Sequence, residues 1–339
     1  MLELTPENAL DYLRSTGRLG PGSAQVELLG GGVSNIVLRV TTADRKYVLK
    51  QSRPQLRTRD AWFSDLDRIY REQEVMEALL PLLPPLTVPE ILFADRANYL
   101  FAMSHAPADA NVWKTALLVG DIDLTVGERA GAVLGRMHQG SAGNAEFAKR
   151  FADRTVFDQL RVDPFYRTVQ KRRPELSDAV GTVIEQMLAR REALCHGDYT
   201  PKNILTHAAG FTLVDYETAY YGDPAMDLGL FLCHLLLKAF QRPTQRQTYF
   251  DLIRAFWQHY SREVTFRPIA ELEARGIGHC AVCLLARIDG TSPVDYLPEE
   301  AKRESVRSVA RIILKDGLQR WEDVLSMVAK HVATSPEES

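Results

Sequence analysis

The chain has 339 residues, 45% of them hydrophobic and 25% charged, which is enough apolar material for a buried core and enough length for two lobes. Its 41 Lys plus Arg against 44 Asp plus Glu give a formal net charge of −3, which argues against a protein held to nucleic acid mainly by phosphate contacts. Four cysteines, Cys195, Cys233, Cys280 and Cys283, are too few and too irregular for a secreted disulfide framework, so the expected compartment is a reducing cytoplasm.

The first twenty residues have neither a basic leader nor a continuous apolar core, unlike a secretory signal. They predict a helix with Thr5 as N-cap, Pro6 at the first helical position and Gly20 beyond the end. Short runs rich in Val, Ile, Leu and Tyr at 24–29, 35–41 and 46–51, separated by GGG and TADR, predict three antiparallel strands. Apolar residues at helical spacing over 67–83 end at Pro84 and Pro85, and 91–94 and 99–103 read as two further strands. Long amphipathic segments follow at 126–138, 155–160, 175–190, 249–260, 279–289 and 299–332. The most apolar stretch, 228–237, contains His234 and is too short to span a bilayer, so no membrane association is expected. Cys280 and Cys283 form a CAVC pair, but no second such pair exists and the surrounding apolar pattern reads as a buried helix. The polar tail 334–339 is expected to be disordered.

The chemistry concentrates in HGDYTPKN, 196–203, and in LVDYETAYYGDPAMD, 213–227. An Asp and an Asn on one loop, followed by an Asp after a strand, are the minimum equipment for metal-assisted phosphoryl transfer. Asp198 would accept the proton of an acceptor hydroxyl, while Asn203 and Asp215 offer the hard oxygen donors that Mg²⁺ prefers. His196 reads as structural, and Asp227 as a brace for the loop. Upstream, Gly30, Gly31 and Gly32 followed by Ser34 and Asn35 read either as a tight turn or as a loop whose backbone approaches a polyphosphate. Lys50 on the next strand can pair with phosphates if an acid on the following helix holds it, Glu72 being the first candidate and Glu74 the second.

Together these motifs resemble the aminoglycoside phosphotransferase and choline kinase type of small-molecule kinase, a relative of the protein kinase fold. Within that superfamily WFSDLDRIYREQEVM, LGRMHQG, FDQLRVDPFYR and CLLARIDGTSPVDYL are most similar to 5-methylthioribose kinases. The resemblance implies an α+β, two-lobed fold: a nucleotide-binding lobe over 1–103, a hinge at 104–107 and a mainly helical catalytic and substrate lobe over 108–333. It implies ATP and Mg²⁺ as cofactors, a DxE metal pair at Asp215 and Glu217, adenine bonded by the backbone around Met103 to His105, and a sugar engaged by Arg287. Two departures accompany it: Ala286 stands where a second arginine is expected, and Asn203 is the aminoglycoside-kinase choice. The bottom-up reading of Arg287 leaves substrate binding open beside a snorkelling or salt-bridged arginine.

The expected function is therefore an ATP- and Mg²⁺-dependent phosphotransferase acting on a hydroxyl of a small metabolite, with methylthioribose or a related sugar leading. An aminoglycoside- or choline-type acceptor is the alternative, and a catalytically weak nucleotide-binding protein is the alternative from another class. Partners are a small hydroxylated substrate and, through the surface of the C-terminal helical region, a second copy in a homodimer.

Overall fold

Strand alternation organises the first part of the computed structural model, which describes residues 2–30, 35–53 and 65–332. The chain divides into two units, one of Met1–Ala110 with His207–Thr218, the other of Asn111–Thr206 with Ala219–Ser339. In the first unit β1 (Ala24–Leu28), β2 (Asn35–Thr42), β3 (Lys46–Ser52), β4 (Ile91–Asp95) and β5 (Leu100–Ser104) form an antiparallel sheet of order β1-β2-β3-β5-β4. Successive side chains of a strand point to opposite faces. Tyr47 and Leu49 therefore join Ile36, Leu38, Val40, Leu100 and Ala102 in a core closed by Tyr12 and Leu13 of α1 (Ala9–Ser15). Lys50, the residue after Leu49, faces the other way, toward α2 (Arg68–Leu79). Helix α2 buries Arg68, Ile69, Glu72, Val75, Met76 and Leu79, positions three or four apart that share one face.

The second unit is mainly helical: α3 (Trp113–Val119), α4 (Leu124–Ser141), α5 (Ala145–Arg150), α6 (Thr155–Phe157), a π-helical segment Asp158–Arg167, α7 (Thr168–Arg172) and α8 (Ser177–Ala189), then α9 (Ala225–Gln241), α10 (Arg246–Glu263), α11 (Ile269–Asp289), α12 (Glu300–Asp316) and α13 (Trp321–Val332). Among the described residues no helix is long and apolar enough to cross a membrane. All four cysteines are buried and unpaired, including Cys280 and Cys283 within α11.

The α+β class and the five-strand N-terminal sheet follow the sequence reading; α3, α5 and α9 are not among the expected helices, and three expected elements take other bounds or forms. The first helix ends at Ser15 rather than near Gly20, because Gly17 adopts φ +67° and Arg18 donates its amide to Leu13 O at 2.8 Å. The segment 299–332 is two helices, since Gly317 takes φ +66° and caps α12. The segment starting at Thr155 runs on as a π-helix through Pro164, whose missing amide would break a regular α-helical ladder. The tail 334–339 lies outside the described residues.

Candidate active site

In the first unit, β3 and α2 bring a lysine to an acid. Lys50 Nζ lies 2.7 Å from Glu72 Oε2 and 2.8 Å from Asp215 Oδ1. Glu74, the other candidate partner, points to Arg96 at 3.9 Å. Asp215 follows the strand Gly210–Leu213 with φ +73°, a left-handed conformation unusual for a residue with a side chain and the kind of strain that clusters at functional sites. Glu217 accepts from Asn35 Nδ2 at 2.8 Å and from Arg68 Nε at 3.1 Å. Arg68 is fully buried, and its Nη1 donates to Asp65 O at 2.8 Å. Asn35, expected among the phosphate-binding residues and at the start of a strand, is the buried first residue of β2 and donates to Glu217. Gly30 sits at the end of β1, where Leu29 N donates to Val37 O at 2.8 Å; Gly31, Gly32 and Ser34 lie outside the described residues.

One carboxylate oxygen each from Glu72, Asp215 and Glu217 falls within 4.8 Å of the others. Against these three acids stand two cations, Lys50 and Arg68. Burial lowers the proton affinity of Lys50, but Asp215, Glu72 and Glu217 outweigh it and hold the ammonium charged. Burial raises the pKa of Glu72, and the neighbouring Asp215 and Glu217 reinforce that rise against the pull of Lys50. An oxygen-only donor set with surplus negative charge suits a divalent cation such as Mg²⁺. Asp215, with 26% of its side chain exposed, is the most accessible of the three. Met103 is buried in β5 opposite Val48, the amide of Ser104 donates to Glu90 O at 2.8 Å, and His105 is half-buried with Nδ1 against Ala106 O.

In the second unit the loop from His196 to Asn203 is braced from below. Asp227 on α9 accepts from His196 N at 2.7 Å and Gly197 N at 2.9 Å, and His138 on α4 reaches the same carboxylate at 3.2 Å. Gly197 has φ +77°, which explains a glycine between His196 and Asp198. His196 Nδ1 accepts from Asp198 N at 3.2 Å, and Tyr199 Oη donates to Ala130 O of α4 at 2.8 Å. The Asp198 carboxylate is buried to 7% exposure, and its Oδ2 receives Asn203 Nδ2 at 2.8 Å, Arg161 Nη2 at 2.7 Å and Lys202 Nζ at 3.3 Å. Asn203 Nδ2 also donates to Asp198 O at 2.9 Å, so its amide nitrogen serves the loop, while its carbonyl oxygen is the atom a hard cation would use.

Two arginines escaped the sequence reading. Arg161, on the π-helical segment, donates Nε to Gly197 O at 2.9 Å and so touches both the loop backbone and the Asp198 carboxylate. Arg161 and Pro164 both fall just past the predicted segment 155–160, so no predicted helix offers a context in which to read them. Arg68 gave no signal beyond its place in a family-like segment. Arg287 is half-buried on α11; its Nη1 bonds Ser292 O and, at 3.0 Å, Ser292 Oγ, while its Nε is buried without a hydrogen-bond partner.

A sequence profile described as a phosphotransferase enzyme family matches residues 25–264. The methylthioribose kinase of Exiguobacterium sibiricum is 23% identical over 297 residues, covering 80% of this chain and 75% of that protein. The 4-hydroxytryptamine kinase of Psilocybe cyanescens is 27% identical over 315 residues, 81% of this chain and 84% of its own. Among solved structures, an ethanolamine kinase of Plasmodium vivax shares the fold with a TM-score of 0.58 and 13% identity, over 91% of this chain and 89% of that one.

Proposed function

Because the chain belongs to the phosphotransferase enzyme family, a group of ATP-using kinases of hydroxyl-bearing small molecules, we propose that it transfers the γ-phosphoryl of ATP directly to a small metabolite, with Asp198 as base. Methylthioribose or a related sugar is the acceptor this reading favours. The new bond joins the acceptor oxygen to phosphorus as the bond from phosphorus to the bridging oxygen of ADP breaks, and the hydroxyl proton passes to the Asp198 carboxylate. Such a base acts late in a loose transition state and need not be strong. The observation that carries the reading is the Asp198 carboxylate itself, held on a buried loop by Asn203, Arg161 and Lys202.

Lys50, positioned by Glu72, is assigned to the nucleotide phosphates, with Gly30, Gly31, Gly32 and Ser34 as their backbone cradle and Met103 to His105 as the adenine edge. Asp215 and Glu217 are assigned to Mg²⁺, and Asn203 offers the same kind of oxygen donor. When bound, Mg²⁺ neutralises charge on the phosphate oxygens. Arg287 is assigned to the acceptor. Sugar-type acceptors are favoured over cationic aminoglycosides or choline, because Lys238 and Lys114 add positive charge near Arg287.

Replacing Asp198 with Ala or Asn is expected to lower kcat by about 10²- to 10⁴-fold, the usual range for a general base, with nucleotide affinity little changed. ADP release under saturating ATP and calorimetric titration of nucleotide measure the two. Near-normal turnover by either variant would remove Asp198 from this role.

A further inference from the structure

Helix α9 reads AMDLGLFLCHLLLKAFQ, and Lys238 is buried to 0% exposure in that apolar run. Its ammonium carries three donors, yet its hydrogen-bond partner is one carbonyl of its own helix, His234 O at 2.9 Å. A lysine this deep is ordinarily paired with an acid. Among the described residues neither Lys238, nor Lys114 of α3, nor Arg287 of α11 has a carboxylate within ion-pair distance. Instead the cations converge. The ammonium groups of Lys114 and Lys238 lie 5.7 and 5.6 Å from the centre of the same ring, Tyr296. Tyr296 Oη and Arg287 Nε are buried without hydrogen-bond partners.

The electrostatics agree with that geometry. Burial, then Lys114, pushes the Lys238 ammonium down to about 7. Burial, then Arg287, Lys238, Lys202 and Lys114, holds the His234 imidazole well below its ordinary value. Lys202 joins this field to the base, since it lies 3.3 Å from Asp198. The second unit thus holds together several basic groups and two unpartnered donors, with Lys202 linking their field to Asp198.

We propose that the acceptor carries, besides the hydroxyl that is phosphorylated, a carboxylate or phosphate group that docks among Lys114, Lys238, Arg287 and Tyr296. This rests on the phosphotransferase reading for its location near Asp198 and narrows the acceptor from the neutral methylthioribose to a related sugar or other hydroxylated small molecule that is acidic. A carboxylate or phosphate accepts several charge-assisted hydrogen bonds at once, which suits two ammonium groups, a guanidinium edge and a phenol. Choline- or aminoglycoside-like cations would meet repulsion there.

The test is calorimetric titration of the full-length protein, with ADP present, by ribose, ribose 5-phosphate and ribonate. Ribose 5-phosphate, ribonate or both should bind at least about tenfold more tightly than ribose, and Lys238→Met and Arg287→Gln should each reduce that advantage about 10- to 100-fold, the range for hydrogen bonds to charged groups. The tighter of the two probes identifies phosphate or carboxylate as the group. Lys238→Met removes a desolvated charge and so does not threaten folding; Arg287→Gln, on a half-buried residue, is the independent check. If neither anion binds more tightly than ribose, or if both variants keep the advantage, the proposal falls. An advantage lost in the variants without ADP formation from ATP would keep this proposal and sink the phosphotransferase reading for these probes. Equal kcat/KM for neutral and acidic sugars would do the reverse.

Discussion

Lys238 carries a charge that burial and the neighbouring Lys114 disfavour, and that has a pH signature. Its ammonium ionises near 10.5 in an unfolded chain and is pushed down to about 7 in the folded one, by burial first and Lys114 second. The other groups facing it do not compensate: Cys233 is held neutral by burial, Tyr296 likewise, and Arg287 is a further cation. Between pH 7 and 10.5 the unfolded state binds a proton that the folded state lacks, so stability rises with pH across that window; below pH 7 both states are protonated and the full penalty applies. Urea unfolding of the ligand-free protein should therefore show stability climbing from pH 7 to pH 10 relative to Lys238→Met, and parallel pH curves for the two proteins would refute it. Arg68 presents the opposite case, a buried cation with partners. Arg68→Met takes the guanidinium partner from the buried Glu217, which should cost about 3–5 kcal/mol in urea unfolding at pH 7, much of it recovered in the Arg68→Met, Glu217→Gln double variant. In sequence these two residues look alike, a charge beside apolar neighbours. What distinguishes them is the presence or absence of an acid from a distant segment, which no local pattern encodes.

Helix α4 carries glycines at 127, 131 and 135, one per turn on a single face, and α10 packs on that face. A Cβ on Gly131 would sit 2.1 Å from the Phe256 carbonyl oxygen, a backbone atom with no rotamer to yield. The close approach matters for the site because His138 of α4 bonds Tyr260 Oη of α10 at 3.0 Å and Asp227 at 3.2 Å, and Asp227 holds the loop from His196 to Asn203 that carries the proposed base. Gly131→Ala should destabilise by about 1–3 kcal/mol, as overpacking does, and lower kcat by displacing that brace. Gly278→Ala on α11 is the control. Its added methyl meets Val183 Cγ2 at an ordinary 3.6 Å, so helix propensity should stabilise it by about 0.5–1 kcal/mol. Thermal unfolding of both separates close approach from simple propensity; equal effects would mean that the tight packing carries no energetic weight. Elements set by local spacing were legible in the sequence: the five strands of the first sheet and most long helices follow from periods of two and 3.6. The break at Gly317 and the π-helical stretch through Pro164 were less so, because each depends on backbone geometry within a pattern that stays helical in its apolar spacing.

At the scale of the whole chain, sequence distance and chemistry part company. Lys50 and Asp215 are 165 positions apart and bonded at 2.8 Å, because residues His207–Thr218 belong to the same unit as the N-terminal sheet. The motif around Asp215 could be read from the sequence as chemistry, and the lysine as a strand residue in want of an acid. That both Glu72 and Asp215 flank the ammonium, with Glu217 held by Arg68 behind them, comes from pairing across the chain, which periodicity does not record. The division of labour proposed here assigns nucleotide and metal chemistry to the first unit, and base and acceptor recognition to the second. Lys50→Met tests that division. It removes the cation among three carboxylates, which should cut ADP-forming turnover about 10²- to 10³-fold, as losing one preorganised electrostatic group does elsewhere. Lys50→Arg should recover part of this loss, keeping the charge but not the compact ammonium geometry that fits both Glu72 and Asp215. Binding of ribose 5-phosphate or ribonate, which the proposal locates in the other unit, should be unchanged by Lys50→Met and weakened in Lys238→Met. If Lys50→Met weakened nucleotide and acidic sugar alike, the acidic group would be competing for the nucleotide's own cation, and the cluster around Tyr296 would lose its assigned ligand.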